Sequence, residues 1–101
     1  MAQPNNLDSR IAEVIQLLQP GEVVSYGDIA ADAGSPRAFR HVGRVLAVTE
    51  GLPWWRVVTS GGRLVPGNEL KHAELLRAEG VVVEQGHVQR SPAGRFAVRR
   101  R

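Results

Sequence analysis

The apolar positions of this 101-residue chain change spacing along its length, and each change outlines an element. In "LDSRIAEVIQLL", Ile11, Val14, Ile15 and Leu18 recur at helical spacing, which predicts a first helix with Asp8 or Ser9 as N-cap. "QPG" breaks that helix, and "EVVS" reads as a short extended piece. Ser25, followed three residues on by Asp28, has the form of a capping box and predicts a second helix over "YGDIAADA", closed by Gly34. Ser35-Pro36, a serine N-cap before a proline at the first helical position, predicts a third helix over "PRAFRHVGRVLAVT". Its spacing puts Phe39, Val42, Val45 and Leu46 on one face and Arg37, Arg40, His41 and Arg44 on the other.

Farther on, "RVVTSGGRLV" reads as two short strands about a Ser-Gly-Gly turn. "NELKHAELLRAEG" predicts a fourth helix, capped by Asn68 and ended by Gly80, and "VVVEQGHVQ" a hairpin turning at Gln85-Gly86. Two helices joined by a tight glycine turn, the second bearing a row of arginines, form a helix-turn-helix pattern. With the later hairpins, the predicted class is mainly α with small β hairpins, a winged helix-turn-helix. The length suits one domain over 1–101, with a basic C-terminal tail from about residue 90.

Charge sharpens this picture. Residues 1–50 hold four arginines against six acids, whereas 51–101 hold nine Lys/Arg against four acids. The last fifteen residues, "HVQRSPAGRFAVRRR", carry five arginines and no acid. Such an end suits a polyanionic partner or a solvated tail, and the arginine row of the third helix suits nucleic acid or a solvated basic face. No apolar signal-peptide core or membrane-spanning run is present, so the expected location is the cytoplasm.

The chemistry is narrowed chiefly by absence. The chain has no cysteine, hence no disulfide, thiolate metal site or thiol nucleophile. His41, His72 and His87 show no metal-ligand spacing or paired carboxylate, and surface or structural roles are expected of them. No catalytic residue, metal or cofactor is expected. "GLPWWRVV" holds the only two tryptophans, and in an extended segment Trp54 and Trp55 would face opposite ways and could not share one core.

Taken in order, "GEVVSYGDIAADAGSPRAFRHVGRVLAV" and "LPWWRVVTSGGRLV" resemble the DNA-binding domain of the O6-alkylguanine-DNA alkyltransferases, over roughly residues 8–86. They resemble still more closely the non-enzymatic relatives of those enzymes, the alkyltransferase-like proteins. The alkyltransferases carry Pro-Cys-His-Arg-Val where this chain has Pro53-Trp54-Trp55-Arg56-Val57. Alkyl transfer from guanine O6 needs an activated thiolate, and an indole nitrogen is no nucleophile at neutral pH. The resemblance therefore implies binding without transfer.

It implies a monomer that docks its helix-turn-helix in the minor groove of double-stranded DNA containing O6-alkylguanine, flips the nucleotide, and recruits nucleotide excision repair proteins. The implied DNA-facing set is Tyr26, Ser35, Arg37, Ala38, Arg40, His41, Gly43 and Arg44. Tyr26 would crowd the target phosphate, and Arg40 would enter the stack in place of the flipped base. The implied lesion pocket is Tyr26, Trp54, Trp55, Arg56 and Val57. Trp54 would be its wall, Arg56 its buttress and the Val57 carbonyl an acceptor; for Trp55 a second wall and a core position fit equally. Three departures stand out. Phe39 and His41 flank Arg40 where small residues are usual, so Phe39 is expected to turn inward and His41 to meet a phosphate or sugar. The segment from Leu46 to Pro53 is short. Pro66 falls near a backbone N–H that the alkyltransferases use at O6, and proline has none. A competing reading is a winged-helix transcription regulator reading the major groove with Arg37, Arg40 and Arg44.

Overall fold

A computed structural model describes residues 6–98. Helix α1 (Asn6–Gln16) buries Ile11 and Ile15 completely. It begins ahead of the expected cap. Asp8 therefore lies inside the first turn, where a carboxylate complements the helix dipole, and caps nothing. Strand β1 (Glu22–Ser25) leads directly into α2 (Tyr26–Asp32). The capping box forms as expected: Asp28 N–H donates to Ser25 Oγ at 3.0 Å, and Ser25 N–H donates to Asp28 Oδ2 at 2.9 Å.

The third helix starts later than its Ser-Pro signal predicts, because Gly34 and Ser35 are consumed in ending α2. Gly34, at φ +90°, donates to the Ala31 carbonyl and Ser35 donates to that of Ala30, a Schellman closure. A turn then runs from Ser35 to Ala38, and α3 spans Phe39–Val48 with no side-chain cap. Val42 and Val45 are its buried residues. Phe39, expected inward, is 48 % exposed, because as the first residue of α3 it precedes the packed stripe.

The paired tryptophans are not extended. Trp54–Arg56 form a turn of 3-10 helix leading into β2 (Val57–Val58). The expected hairpin across Ser60-Gly61-Gly62 does not form as two paired strands. β2 pairs parallel with β1 (Val24 opposite Val57), while Arg63 bridges His87. Helix α4 (Glu69–Arg77) follows, with Asn68 at its N-cap position but making no side-chain cap bond. Strands β3 (Val82–Glu84) and β4 (His87–Arg90) form the predicted hairpin. Its turn residues Gln85 and Gly86 both have positive φ, 53° and 75°, as a type I′ turn requires.

A fifth strand, β5 (Ala93–Gly94), is the element that alternation did not reveal; it pairs parallel with β1 to give the order β2-β1-β5. Gly94 is required there, since at φ +89° any Cβ would overlap the Val23 backbone. Within the basic end, Arg95 reaches both carboxylate oxygens of Asp28 (3.1 and 3.3 Å) and the Ser60 carbonyl (3.1 Å). Residues 99–101, with the final three arginines, lie outside the described residues.

Strand alternation divides the core. Val57 faces a cluster built from Ile11, Ile15, Ile29, Val42 and Val45 of the three N-terminal helices. Its neighbour Val58 faces a second cluster of Val23, Leu64, Leu76, Val83 and Val88, against α4 and the hairpin. The architecture is the mainly α helix-turn-helix class with small β elements. Among the described residues no helix is long and apolar enough to cross a membrane.

Candidate nucleic-acid interface

The arginine row is carried by the turn before α3 and by α3 itself. Arg37, Arg40 and Arg44 are exposed and make no ion pair among the described residues. Arg40 sits 5.9 Å from the Phe39 ring centroid, so an exposed aromatic and a guanidinium adjoin at the start of the helix. The Nε2 of His41 is hydrogen-bonded to the Asp8 carboxylate of α1, which occupies that nitrogen and ties α3 to α1. Ser35 and Ala38 belong to the turn between the helices, where Ala38 N–H donates to the Ser35 carbonyl at 2.9 Å.

Beside this surface lies a cleft of about 220 Å³ lined by Tyr26, Gly43, Leu46, Ala47, Trp54 and Val65. No charged side chain lines it. Gly43 and Ala47, which line the cleft, lie on the same face of α3 as Arg40, at i+3 and i+7. A Cβ on Gly43 would meet no protein atom within 4 Å. Its lack of a side chain therefore serves nothing inside the fold and leaves the cleft floor open. Burial pushes the Tyr26 phenol above its ordinary 10.0, so its hydroxyl stays protonated and able to donate at neutral pH.

The two tryptophans have separate surroundings. Their rings meet edge to face, centroids 6.1 Å apart and planes at 88°. Trp54 lines the cleft; Trp55 packs against the second core cluster, and its indole N–H donates to Glu79 Oε2 at 2.9 Å. Of the residues expected at the pocket, Tyr26 and Trp54 line it, whereas Trp55, Arg56 and Val57 do not. Val57 is fully buried in the first cluster. Arg56 is held by Glu79 at 2.6 Å through a terminal nitrogen, also bonds it through Nε, and donates to the Leu18 carbonyl at 2.9 Å. Pro66 is exposed and lines a different cleft with Arg63, Glu69 and His87.

Two residues central to this arrangement gave no sequence signal of it. Glu79 accepts from Gly21 N–H (2.8 Å), Trp55 and Arg56, joining the residue before β1 and the turn after α4 to the tryptophan turn. Burial alone would raise its carboxyl pKa, but the hydrogen bonds from Arg56, Gly21 and Trp55 outweigh that and hold it below the usual 4.5. The second is His72, fully buried on α4, whose Nδ1 accepts from Val65 N–H at 3.1 Å and whose Nε2 meets the Trp55 carbonyl at 2.8 Å. Burial lowers its pKa from the ordinary 6.5, against the opposing pull of the Trp55 carbonyl.

Stability should consequently fall as the pH drops below 6.5. There the unfolded ring takes up a proton that the folded ring resists, and the decline ends only below the folded pKa. Urea titrations between about pH 7 and 5 should show His72→Gln losing this component relative to the parent chain. Parallel profiles for the two proteins would contradict it. Among the described residues no group of three or more His, Cys, Asp or Glu could hold a metal ion.

Comparison with known proteins agrees with this geometry. Residues 6–81 match the family described as the 6-O-methylguanine DNA methyltransferase, DNA binding domain. The DNA base-flipping protein of Escherichia coli K12 is 41 % identical over 88 residues, covering 82 % of this chain and 68 % of that protein. Among solved structures, S. pombe Atl1 in complex with damaged DNA containing O6-carboxymethylguanine superposes with a TM-score of 0.76 at 26 % identity, covering 86 % of this chain and 90 % of Atl1. Mycobacterium tuberculosis OGT in complex with DNA gives 0.65 at 27 % identity, covering 78 % of this chain and 51 % of OGT. A shared fold, a shared motif order and the absence of any cysteine place the chain in the 6-O-methylguanine DNA methyltransferase DNA-binding-domain family, as an alkyltransferase-like protein.

Proposed function

We propose that this protein is a non-enzymatic sensor of O6-alkylguanine in duplex DNA. In this reading α3 docks in the minor groove, Arg40 fills the gap left by the flipped nucleotide, and the extruded base enters the cleft beside Trp54. The observation that carries it is the apolar, uncharged cleft next to the Arg40 face, in a chain that has no cysteine. A damaged base is easier to extrude than a paired one, because flipping costs only a few kcal/mol once pairing is weak. Apolar contact of the alkyl group with Trp54 and Leu46 adds roughly 1–3 kcal/mol of preference. Trp54 stands in the position that the resemblance assigns to the acceptor cysteine, so the base is held and released unaltered. Arg56 supports the Trp54 turn from behind through Glu79. Tyr26 caps the cleft near the rotating phosphate.

Retention without repair is useful only if the lesion is handed on, and nucleotide excision repair is the recipient that the resemblance implies. The protein acts as a monomer in the cytoplasm on this reading. Support for damage binding comes from relatives, named for base flipping in one case and crystallised on damaged DNA in another.

Equilibrium titration of duplexes differing by one O6-methylguanine tests the reading. The modified duplex should bind roughly 10- to 100-fold more tightly, in line with about 1–3 kcal/mol. Affinity should fall steeply with added salt as arginine–phosphate contacts release counterions. The protein's mass should be unchanged after incubation. Equal affinity for both duplexes, with strong dependence on surrounding sequence, would overturn the reading in favour of a transcription regulator.

A further inference from the structure

We propose that His72 is a positioning residue for the cleft: it clamps the Trp54 turn to the Val65 segment and thereby sets the preference for a modified base. This rests on the lesion-binding reading. Two of the residues lining the cleft, Trp54 and Val65, come from irregular segments, a single 3-10 turn and a loop, which have no ladder of their own to hold them. His72 touches both. Val65 N–H donates to its Nδ1, and its ring lies 5.0 Å from that of Trp54, tilted by 59°.

The partners dictate the state of the ring. A backbone N–H can only donate, so Nδ1 must be bare; the Trp55 carbonyl can only accept, so Nε2 must carry the proton. One neutral tautomer satisfies both contacts, and it is fully enclosed. The residue also commits the Val65 amide, which is thereby not offered to a bound base. Recognition in the cleft is left to shape and apolar contact, and these depend on the spacing of the Trp54 and Val65 segments.

The test compares the parent chain with His72→Leu and His72→Gln by titrating duplexes with guanine or O6-methylguanine at one position, at pH 7.5. Leucine fills the space but abandons both backbone partners. Glutamine supplies a donor and an acceptor and cannot titrate. Binding of the undamaged duplex, dominated by α3, should stay within about twofold in both variants, while the ratio of modified to unmodified affinity falls roughly tenfold in His72→Leu, as expected for one to two lost buried hydrogen bonds. His72→Gln should keep the ratio within about threefold. The Trp54 contribution to intrinsic fluorescence should change in the leucine variant and not in the glutamine variant. If His72→Leu fails to fold, His72→Gln decides: a retained ratio supports the clamp, and a lost ratio in folded protein overturns it. A folded His72→Leu that keeps the parent ratio overturns the clamp and leaves the lesion-binding reading intact. A parent chain with no preference overturns both.

Discussion

Glu79→Ala is expected to lower stability by about 3 kcal/mol, the cost of leaving a largely buried guanidinium without its partner. The Arg56 and Glu79 side chains are only 12 % and 13 % exposed, so solvent cannot replace the lost contact. Removal also strands the Gly21 N–H and the Trp55 indole N–H, each of which now donates to this carboxylate. In a domain of this size the loss corresponds to a fall in Tm of roughly 12–24 °C. Urea titration at pH 7, with m unchanged and the midpoint lowered, is the measurement. Glu79→Gln should lie between the two, since its amide oxygen still accepts. Because the hydrogen bonds hold the carboxyl pKa below its usual 4.5, this contribution is fully present above that pH and fades as the pH falls through the folded value. A Glu79→Ala protein within about 0.5 kcal/mol of the parent would show that the network is energetically idle.

Arg40→Ala should do the reverse, sparing the fold while damaging recognition. The side chain is exposed and makes no ion pair among the described residues, so its loss should change stability by no more than about 0.5 kcal/mol. If the guanidinium occupies the space of the extruded nucleotide, affinity for O6-methylguanine duplex should drop roughly 10- to 100-fold. The fluorescence rise of a 2-aminopurine placed beside the lesion, which reports unstacking, should disappear. A uniform loss on damaged and undamaged duplexes, with a salt slope reduced by about one, would instead mark Arg40 as a phosphate contact and overturn the finger role. Arg37 and Arg44 are the natural comparison: both are exposed, but Arg37 lies in the turn before α3, and Arg44 stands at i+3 to Ala47 without the i+3 relation to Gly43.

Much of the fold was legible because many elements carry their own instructions. The Ser25–Asp28 box, the Gln85-Gly86 turn and the helical spacing of Ile11 and Ile15 act over a few residues, and each was realised where the pattern placed it, although α1 ends at Gln16, before Leu18. Errors arose where two local signals competed or a partner was distant. Ser35-Pro36 is a good helix start, but Gly34 and Ser35 are already engaged in closing α2, so α3 opens at Phe39 and leaves that ring exposed. The strand pairing of Val24 with Val57 spans about a third of the chain between two short apolar runs, and nothing in either run names the other. Of the candidate site, the arginine face and Trp54 could be read from spacing and motif. Leu46, Ala47 and Val65 could not, because they become lining residues only when α3 and the loop before α4 meet.

The sequence by itself determined what chemistry is closed to this protein. Thiolate transfer needs a thiol, and with no cysteine in the chain no arrangement of the backbone can supply one. It also determined the helix-turn-helix order and the basic row, which follow from composition and short-range spacing. Only the tertiary structure decided how the adjacent tryptophans divide. A 3-10 turn sets successive side chains about 120° apart, unlike the opposition of a strand, so both can be accommodated on one turn with different neighbours. Trp55 is drawn inward by Glu79, 24 residues away, while Trp54 stands at the cleft against His72. Those partners sit on α4 and on the turn that follows it, and a side chain's direction is settled by the hydrogen bonds and packing it finds there.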